Sequence, residues 1–403
     1  AKSHKTVKVY TWAEMMKFGE DEKLEEEMEK RIRAIKPTQC CTLIYTSGTT
    51  GPPKAVMLSH DNCTWNCRNL FESLKDVDWS KQDHAFVSYL PLSHVAAQIT
   101  DVHAPLAIMA HYGGNGMVTF ARPDALKGSL SHTLKAAKPT IFFGVPRVWE
   151  KMEETIKAIG KNSTGIKKML ADWAKSKGME AHEAYQIGGT KKYPDGYNVA
   201  KRVVFDLIKS QLGFDRLEVL LLVLCSFSFL GTVQKVELNF YFLAVSGAAP
   251  IKRSTIEYFG SLGINIVEVF GMSETTGLHT IGLNFYNRVG SVGPTGVGAE
   301  TIILNDPSRD KKGEGEICMR GRNVMMGYMY DPDKTRETID NEGLLHSGDV
   351  GRKDHQGLVY ITGRIKELII TAGGENIAPV PIEDYVKTIC PGWCSINYVV
   401  FFF

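Results

Sequence analysis

Between the apolar run Cys41-Thr42-Leu43-Ile44 and the stretch Ala55-Val56-Met57-Leu58-Ser59-His60-Asp61-Asn62 lies Tyr45-Thr46-Ser47-Gly48-Thr49-Thr50-Gly51-Pro52-Pro53-Lys54. The apolar run predicts a strand, and the residues after the loop predict a second short strand that leads into a helix. Gly48 and Gly51 let the backbone turn tightly and approach an anion. Consecutive N–H groups and the Ser and Thr hydroxyls can wrap phosphate oxygens, and Lys54 adds a point charge. The string is not a Walker A loop, because Gly48 and Gly51 are too close and Lys54 is followed by Ala55. A polar surface turn competes with this reading for a generic Gly/Ser/Thr loop, and much less well for this ten-residue string.

The rest of the chain alternates strand and helix signals. Glu20 to Ile35 reads as a charged helix with a solvated face, supported by pairs such as Glu26 with Lys30. Asn62 to Leu74 reads as a helix capped by Ser59 or Asp61. Strands are expected at Ala85–Tyr89, Pro139–Phe143, Ile264–Phe270, Glu316–Arg320, Leu358–Ile361 and Glu367–Thr371. Helical pattern dominates from Arg147 to about Lys209, broken around Gly188 to Asn198. Strands interleaved with long helices imply an α/β fold with mostly parallel sheets.

Composition sets outer bounds. The 403 residues suffice for about two or three domains. A net charge of +2 implies no polyanionic partner, so nucleic acid is not expected. None of the eight cysteines forms C-x-x-C, and no histidine cluster has zinc spacing, so reduced thiols in the cytoplasm are expected. The chain opens on Ala1 without a signal-peptide pattern and ends on Val399-Val400-Phe401-Phe402-Phe403, which reads as a fragment at both ends. Val219 to Gln234 is a run of sixteen residues without a charge. A membrane span needs roughly 20 apolar residues. The segment around 217–243 is read first as a gene-model artefact, then as an extra strand, then as a span.

The loop resembles the phosphate loop of the adenylate-forming enzymes: acyl-CoA synthetases, aryl-acid ligases, luciferases and peptide-synthetase adenylation domains. Thr46, Ser47, Gly48, Thr49, Thr50, Gly51 and Lys54 carry the likeness, with Pro52 and Pro53 in the same stretch. The resemblance implies a large N-terminal domain over residues 1–365 and the start of a small, mobile α+β domain over 366–403. Glu268-Val269-Phe270-Gly271-Met272-Ser273-Glu274 is similar to the family's second nucleotide motif. There Phe270 would stack on adenine, Ser273 would reach a phosphate, and Glu274 would hold Mg²⁺ through a hard oxygen. Gly247, Ala248 and Ala249, in Ser246-Gly247-Ala248-Ala249-Pro250, would let adenine lie on the backbone. Asp349 of His346-Ser347-Gly348-Asp349 would hold the ribose hydroxyls, Arg364 would contact ribose or phosphate, and Lys366 would be the hinge. His94, in Leu90-Pro91-Leu92-Ser93-His94, would border the acyl pocket. Each of these short strings alone reads as a turn or a structural residue. Their co-occurrence gives them weight.

Further stretches narrow the branch. Arg122–Leu130, Gly144–Met152 and Ile369–Glu383 resemble the bubblegum-type synthetases of long and very long fatty acids. Two positions depart from the pattern: Gly363 stands where many members have Asp, and Leu344 where Trp is usual. The expected activity is that of an AMP-forming long-chain fatty acid:CoA ligase. Its substrates are a long-chain fatty acid, ATP and CoA, with Mg²⁺ as cofactor, and Lys54, Glu274 and Arg364 stabilise the reacting charges. Adenylation of an aryl acid, or nucleotide binding without catalysis, is the alternative. Cytoplasmic placement is expected, with peripheral contact to endoplasmic reticulum or other membranes left open.

Overall fold

The computed structural model describes residues 8–20, 23–46, 53–74, 77–80, 83–190, 192–217, 243–282, 286–367, 369–370 and 376–377. In chain order its main strands are β1 (Cys40–Thr46), β2 (Lys54–Ser59), β3 (Asp83–Ser88), β4 (Asn115–Phe120), β5 (Ile141–Gly144), β6 (Leu243–Ser246) and β7 (Ile266–Phe270). They continue as β8 (Thr280–Ile281), β9 (Glu300–Leu304), β10 (Gly315–Arg320), β11 (Gly327–Tyr328), β12 (Leu345–Lys353) and β13 (Val359–Arg364).

β1 and β2 pair antiparallel, with Thr46 opposite Lys54, so the two ends of the expected phosphate loop face each other. Ser59 ends β2 and starts helix α3 (His60–Ser73), after the N-terminal helices α1 (Trp12–Phe18) and α2 (Lys23–Ala34). The cap is reciprocal: Ser59 Oγ accepts from Asn62 N at 3.1 Å, and Asn62 Oδ1 accepts from Ser59 N at 2.8 Å. Caps of this kind stabilise a helix by about 1 kcal/mol. Asn62 Nδ2 also donates to the carbonyls of Arg322 and Val324, tying α3 to the segment before β11. β11 then adds to β2, with Tyr328 opposite Val56.

Parallel pairing holds the two sheets that helices cover. β3 lies beside β4, and β5, β6 and β7 run side by side in that order, with β8 antiparallel at the edge. Trp149, on the helix Pro146–Gly160, is fully buried there and donates its indole N–H to the carbonyls of Gly144 and Val245. Phe142 and Phe259 meet it edge-on at 5.4 and 5.2 Å, the arrangement ring quadrupoles favour. After residue 300 the pattern changes to an antiparallel sheet, β13-β12-β10-β9. Its core joins Phe270, Val292, Ile317, Met319, Leu345 and Val359. The α/β fold class is therefore present, with parallel and antiparallel sheets mixed.

α2 is exposed along its length, as its charges suggest, although its ion pairs are Glu27–Arg31 and Glu29–Arg33. No helix among the described residues is long and apolar enough to cross a membrane. Most of the 217–243 segment, including its uncharged run 219–234, and nearly all of the chain after Glu367, lies outside the described residues.

Candidate active site

The Glu274 turn follows β7. Gly271 crosses the carbonyl of Gly277 so closely that a Cβ there would sit 1.6 Å from its oxygen, so only glycine fits. Ser273–Thr275 form one 3₁₀ turn, and Thr276 adopts φ +57°. Non-glycine residues in that region are strained, and the surroundings hold this one in place. Asn66 of α3 donates to the carbonyls of Thr275 and Thr276 at 3.2 and 2.7 Å, and Thr276 Oγ1 donates to Asn323 O at 2.7 Å. Asn323 Nδ2 donates to His279 Nδ1 at 3.2 Å. Burial pushes His279 down to about 4, so its ring is neutral at pH 7. Its proton then sits on Nε2 and points at Thr301 Oγ1, 2.9 Å away.

This framework presents Glu274, only 7% exposed, to Tyr328 of β11. The Tyr328 hydroxyl donates to Glu274 Oε1 at 2.7 Å, and burial raises its own pKa above the usual phenol range. Lys54 lies over the same ring, its Nζ 4.9 Å from the ring centroid. The phosphate-loop cation and the carboxylate proposed for a metal thus meet across one tyrosine. Partial burial lowers the Lys54 pKa, and the like charges of Lys334 and Lys366 add to this, while Glu274 and Asp331 oppose it. Lys366, exposed in the turn Ile365–Glu367, is therefore within electrostatic reach of Lys54.

The second half of the site is the β12–β13 hairpin. Asp349 and Arg364 face each other in register, and Arg364 Nε donates to Asp349 Oδ1 at 2.9 Å. Burial raises the Asp349 pKa, and the Arg364 charge and hydrogen bond offset this only in part. The kink at Gly348, within β12 just before Asp349, is held by Glu316 of β10. Its Oε1 accepts Gly348 N and its Oε2 accepts His346 Nδ1, both at 2.9 Å. Ser347 Oγ donates to Ile317 O at 2.6 Å and accepts from Asp349 N at 3.0 Å. Burial works against a charged His346, but bonds and charges from Glu316 and Asp340 outweigh it and raise its pKa. The potential ligand atoms of Glu316, Cys318 and His346 lie within 4.8 Å of one another, and the hydrogen bonds already account for the His346–Glu316 contact.

The remaining expected residues divide. Gly247 cannot carry a side chain, because a Cβ would sit 2.7 Å from Val269 Cγ2. Ala248 takes φ +69°, and Ala248 and Ala249 are exposed, leaving the turn after β6 open. Ser246 Oγ, just before it, is buried without a hydrogen-bond partner among the described residues. Burial pushes Glu268 up to about 7, against a bond from Gly290 N. Phe270 is 9% exposed and packs into the antiparallel-sheet core, so little of its ring is open. Gly271, Met272 and Ser273 are half-buried beside Glu274. His94 is exposed and caps the next helical turn through Ala96 N at 3.1 Å. Thr46 and Lys54 face each other at the hairpin end and Pro53 is exposed, while Ser47, Gly48, Thr49, Thr50, Gly51 and Pro52 lie outside the described residues.

Comparison with known proteins fits this geometry. The model of the AMP-binding enzyme family matches residues 1–329. The long-chain-fatty-acid–CoA ligase ACSBG2 of Gallus gallus is 45% identical over 382 residues, 95% of this chain and 46% of that protein. The long-chain-fatty-acid–CoA ligase ACSBG1 of Homo sapiens is 42% identical over 388 residues, 96% of this chain and 49% of that protein. The chain thus spans about half the length of the curated relatives it matches. Among solved structures, ATP-bound MatB of Rhodopseudomonas palustris superposes with TM-score 0.57 at 22% identity, over 87% of this chain and 53% of that one. The o-succinylbenzoate CoA synthetase MenE of Bacillus subtilis, with its acyl-adenylate intermediate, gives TM-score 0.56 at 20% identity, over 88% of this chain and 55% of that one. With its phosphate-loop hairpin, its Glu274 turn and this family match, the chain belongs to the AMP-binding enzymes.

Proposed function

We propose that this chain carries the nucleotide site of a long-chain fatty acid:CoA ligase that forms AMP. The observation that carries the reading is the convergence of Lys54 and Glu274 on Tyr328. The fatty-acid carboxylate attacks the α-phosphorus of ATP, the bond to pyrophosphate breaks, and an acyl-adenylate forms. The CoA thiol then attacks the acyl carbon, loses its proton and releases AMP. The carboxylate is its own nucleophile, so no Ser-His-Asp arrangement is required.

The residues divide the work by their chemistry. Lys54 offers a cation to the leaving phosphates from the base of the loop, and its depressed pKa reflects a partly dry environment where charge acts strongly. Glu274 fits a hard divalent cation. One oxygen is fixed by Tyr328, and the other has no hydrogen-bond partner among the described residues. Mg²⁺ bound there would supply positive charge to the polyphosphate. Asp349 accepts from the ribose hydroxyls after trading its bond with Arg364, which frees the guanidinium for ribose or phosphate. The open turn Gly247–Ala249 offers backbone to the adenine, and His94 borders the acyl pocket. Lys366, in the turn Ile365–Glu367, serves as the hinge between the two half-reactions.

The names of the relatives support the fatty-acid substrate. The test is ATP–pyrophosphate exchange by the full-length parent protein with laurate, palmitate, longer acids and coumarate. Exchange is expected to depend on the long-chain acid and to release AMP. Exchange without acid, or release of ADP, would overturn the adenylation reading. Preference for coumarate would move the substrate to the aryl acids.

A further inference from the structure

β1 carries a second chemistry, unrelated to nucleotide binding, at the end away from the loop. Its pairing with β2 is broken between Cys40 and Thr42: Cys40 faces Ser59, Thr42 faces Leu58, and Cys41 has no partner in the ladder. Such a bulge frees one residue from the pleat and re-aims its side chain. Cys41 is aimed at α3. Its Sγ lies 3.8 Å from that of Cys63, which sits in the first turns of α3 and is 2% exposed. The two thiols are 22 residues apart in sequence, and β2 and the phosphate loop lie between them.

We propose that Cys41 and Cys63 are a thiol oxidation site, at which a peroxide forms a reversible disulfide tying β1 to α3 beside the phosphate-loop hairpin. A disulfide needs sulfurs about 2.05 Å apart. The pair must therefore close by somewhat under 2 Å, within reach of side-chain rotation at an unpaired bulge residue. The two cysteines have different parts. Cys41 is exposed, and its hydrogen-bond contact with the Cys63 sulfur pulls its pKa down to about 7. Cys63 is pushed the other way by the same contact and by burial. Cys41 is then the attacking thiolate and Cys63 the resolving thiol. In the first step the Cys41 thiolate attacks one peroxide oxygen, the O–O bond breaks, and Cys41 becomes a sulfenic acid as hydroxide leaves. In the second step Cys63 sulfur attacks the Cys41 sulfur, the S–O bond breaks, and the Cys63 proton leaves with hydroxide as water. Two thiols lose two electrons, and one peroxide becomes two waters.

The neighbouring cysteines do not fill this role. Cys67, one turn further along α3, is 1% exposed, and burial pushes it up to about 12. Cys318 is buried in the other sheet and is also pushed up to about 12. Cys40 is exposed, but its Sγ turns to the carbonyl of Thr42 at 3.5 Å.

The test treats the full-length parent protein with hydrogen peroxide, blocks remaining thiols with iodoacetamide, and maps the digest by mass spectrometry. A peptide linked through Cys41 and Cys63, lost on adding dithiothreitol, is expected. Cys41→Ser should abolish the link. Cys63→Ser should leave Cys41 as a sulfenic acid that dimedone traps, a readout that does not depend on disulfide geometry. A wild-type protein in which Cys41 accumulates dimedone adduct or sulfinic acid without the linked peptide would overturn the proposal. So would a link that joins Cys40 in place of Cys41.

Discussion

Tyr328 links the two charged groups on which the site depends. Its ring lies under the Lys54 ammonium and its hydroxyl fixes Glu274, so it has two separable roles. If Glu274 holds Mg²⁺, Glu274→Gln removes one hard ligand charge and is expected to lower kcat by about 10²-fold or more, comparable to losing one transition-state electrostatic group. Tyr328→Phe keeps the ring and removes only the hydrogen bond. Bonds to charged groups contribute roughly 1.5–3 kcal/mol, so about a 10- to 100-fold loss is the upper range. That loss should appear mainly as a higher Mg²⁺ requirement in pyrophosphate exchange, with the melting temperature little changed. Equal Mg²⁺ curves for Tyr328→Phe and wild type would remove the tyrosine from this role. The two ends of the arrangement were legible in sequence, because Lys54 and Glu274 each sit in a distinctive string. Tyr328 was not: β11 has two residues and shows no period that a pattern can detect. Asn66 and Asn323 were equally silent. They act through carbonyls more than 200 and more than 40 residues away in the chain, and neutral amides have no spacing rule.

β7 shows how an element both delivers and constrains a site. Its continuous apolar content predicted a buried strand at Ile264–Phe270, and the strand runs from Ile266 to Phe270. The same burial reaches Glu268 on that strand and raises its pKa from an ordinary 4.5 to about 7. A folded-state pKa above the unfolded one means the protonated form favours the fold. The stability this group contributes is therefore complete below about 4.5 and is lost as pH rises through about 7. The loss is on the order of 3 kcal/mol at most, from about 1.4 kcal/mol per unit. Glu268→Gln should leave the melting temperature at pH 4.5 nearly unchanged and raise it at pH 8. A variant that melts lower than wild type at pH 8 would show that the carboxylate is held charged. The strand β12 was less legible. His346-Ser347-Gly348-Asp349 reads as a turn, yet it lies within a nine-residue strand, because Glu316 straps the Gly348 kink at φ +75° to β10. Within the expected strand Glu367–Thr371, a two-residue strand, Ile369–Ile370, pairs antiparallel with Asn376–Ile377, and Glu367 ends the preceding 3₁₀ turn.

On the scale of the whole molecule, the site is shared between two kinds of sheet. Thr46, Lys54 and Glu274 belong to or follow strands of the β1–β2–β11 and β5–β8 sheets, while Asp349 and Arg364 belong to the antiparallel sheet after residue 300. The α/β class was readable from alternating strands and helices. The antiparallel sheet was not, since short strands carry no sign of their partners' direction. The two groups of elements join where Phe270 of β7 enters the antiparallel core. The chain leaves this assembly through Arg364 into the turn Ile365–Glu367, whose Lys366 is felt at Lys54. If Lys366 is the hinge between the half-reactions, it must change its backbone angles. Proline locks φ near −65°, which a 3₁₀ turn accepts and a swing does not. Lys366→Pro should therefore leave acid-dependent pyrophosphate exchange within a few-fold of wild type and lower acyl-CoA formation by tenfold or more. Lys366→Ala supplies the control, because it removes the charge near Lys54 while keeping rotational freedom. Loss of both half-reactions in both variants would mean that Lys366 acts through its charge on the phosphates, and the pivot would then lie elsewhere.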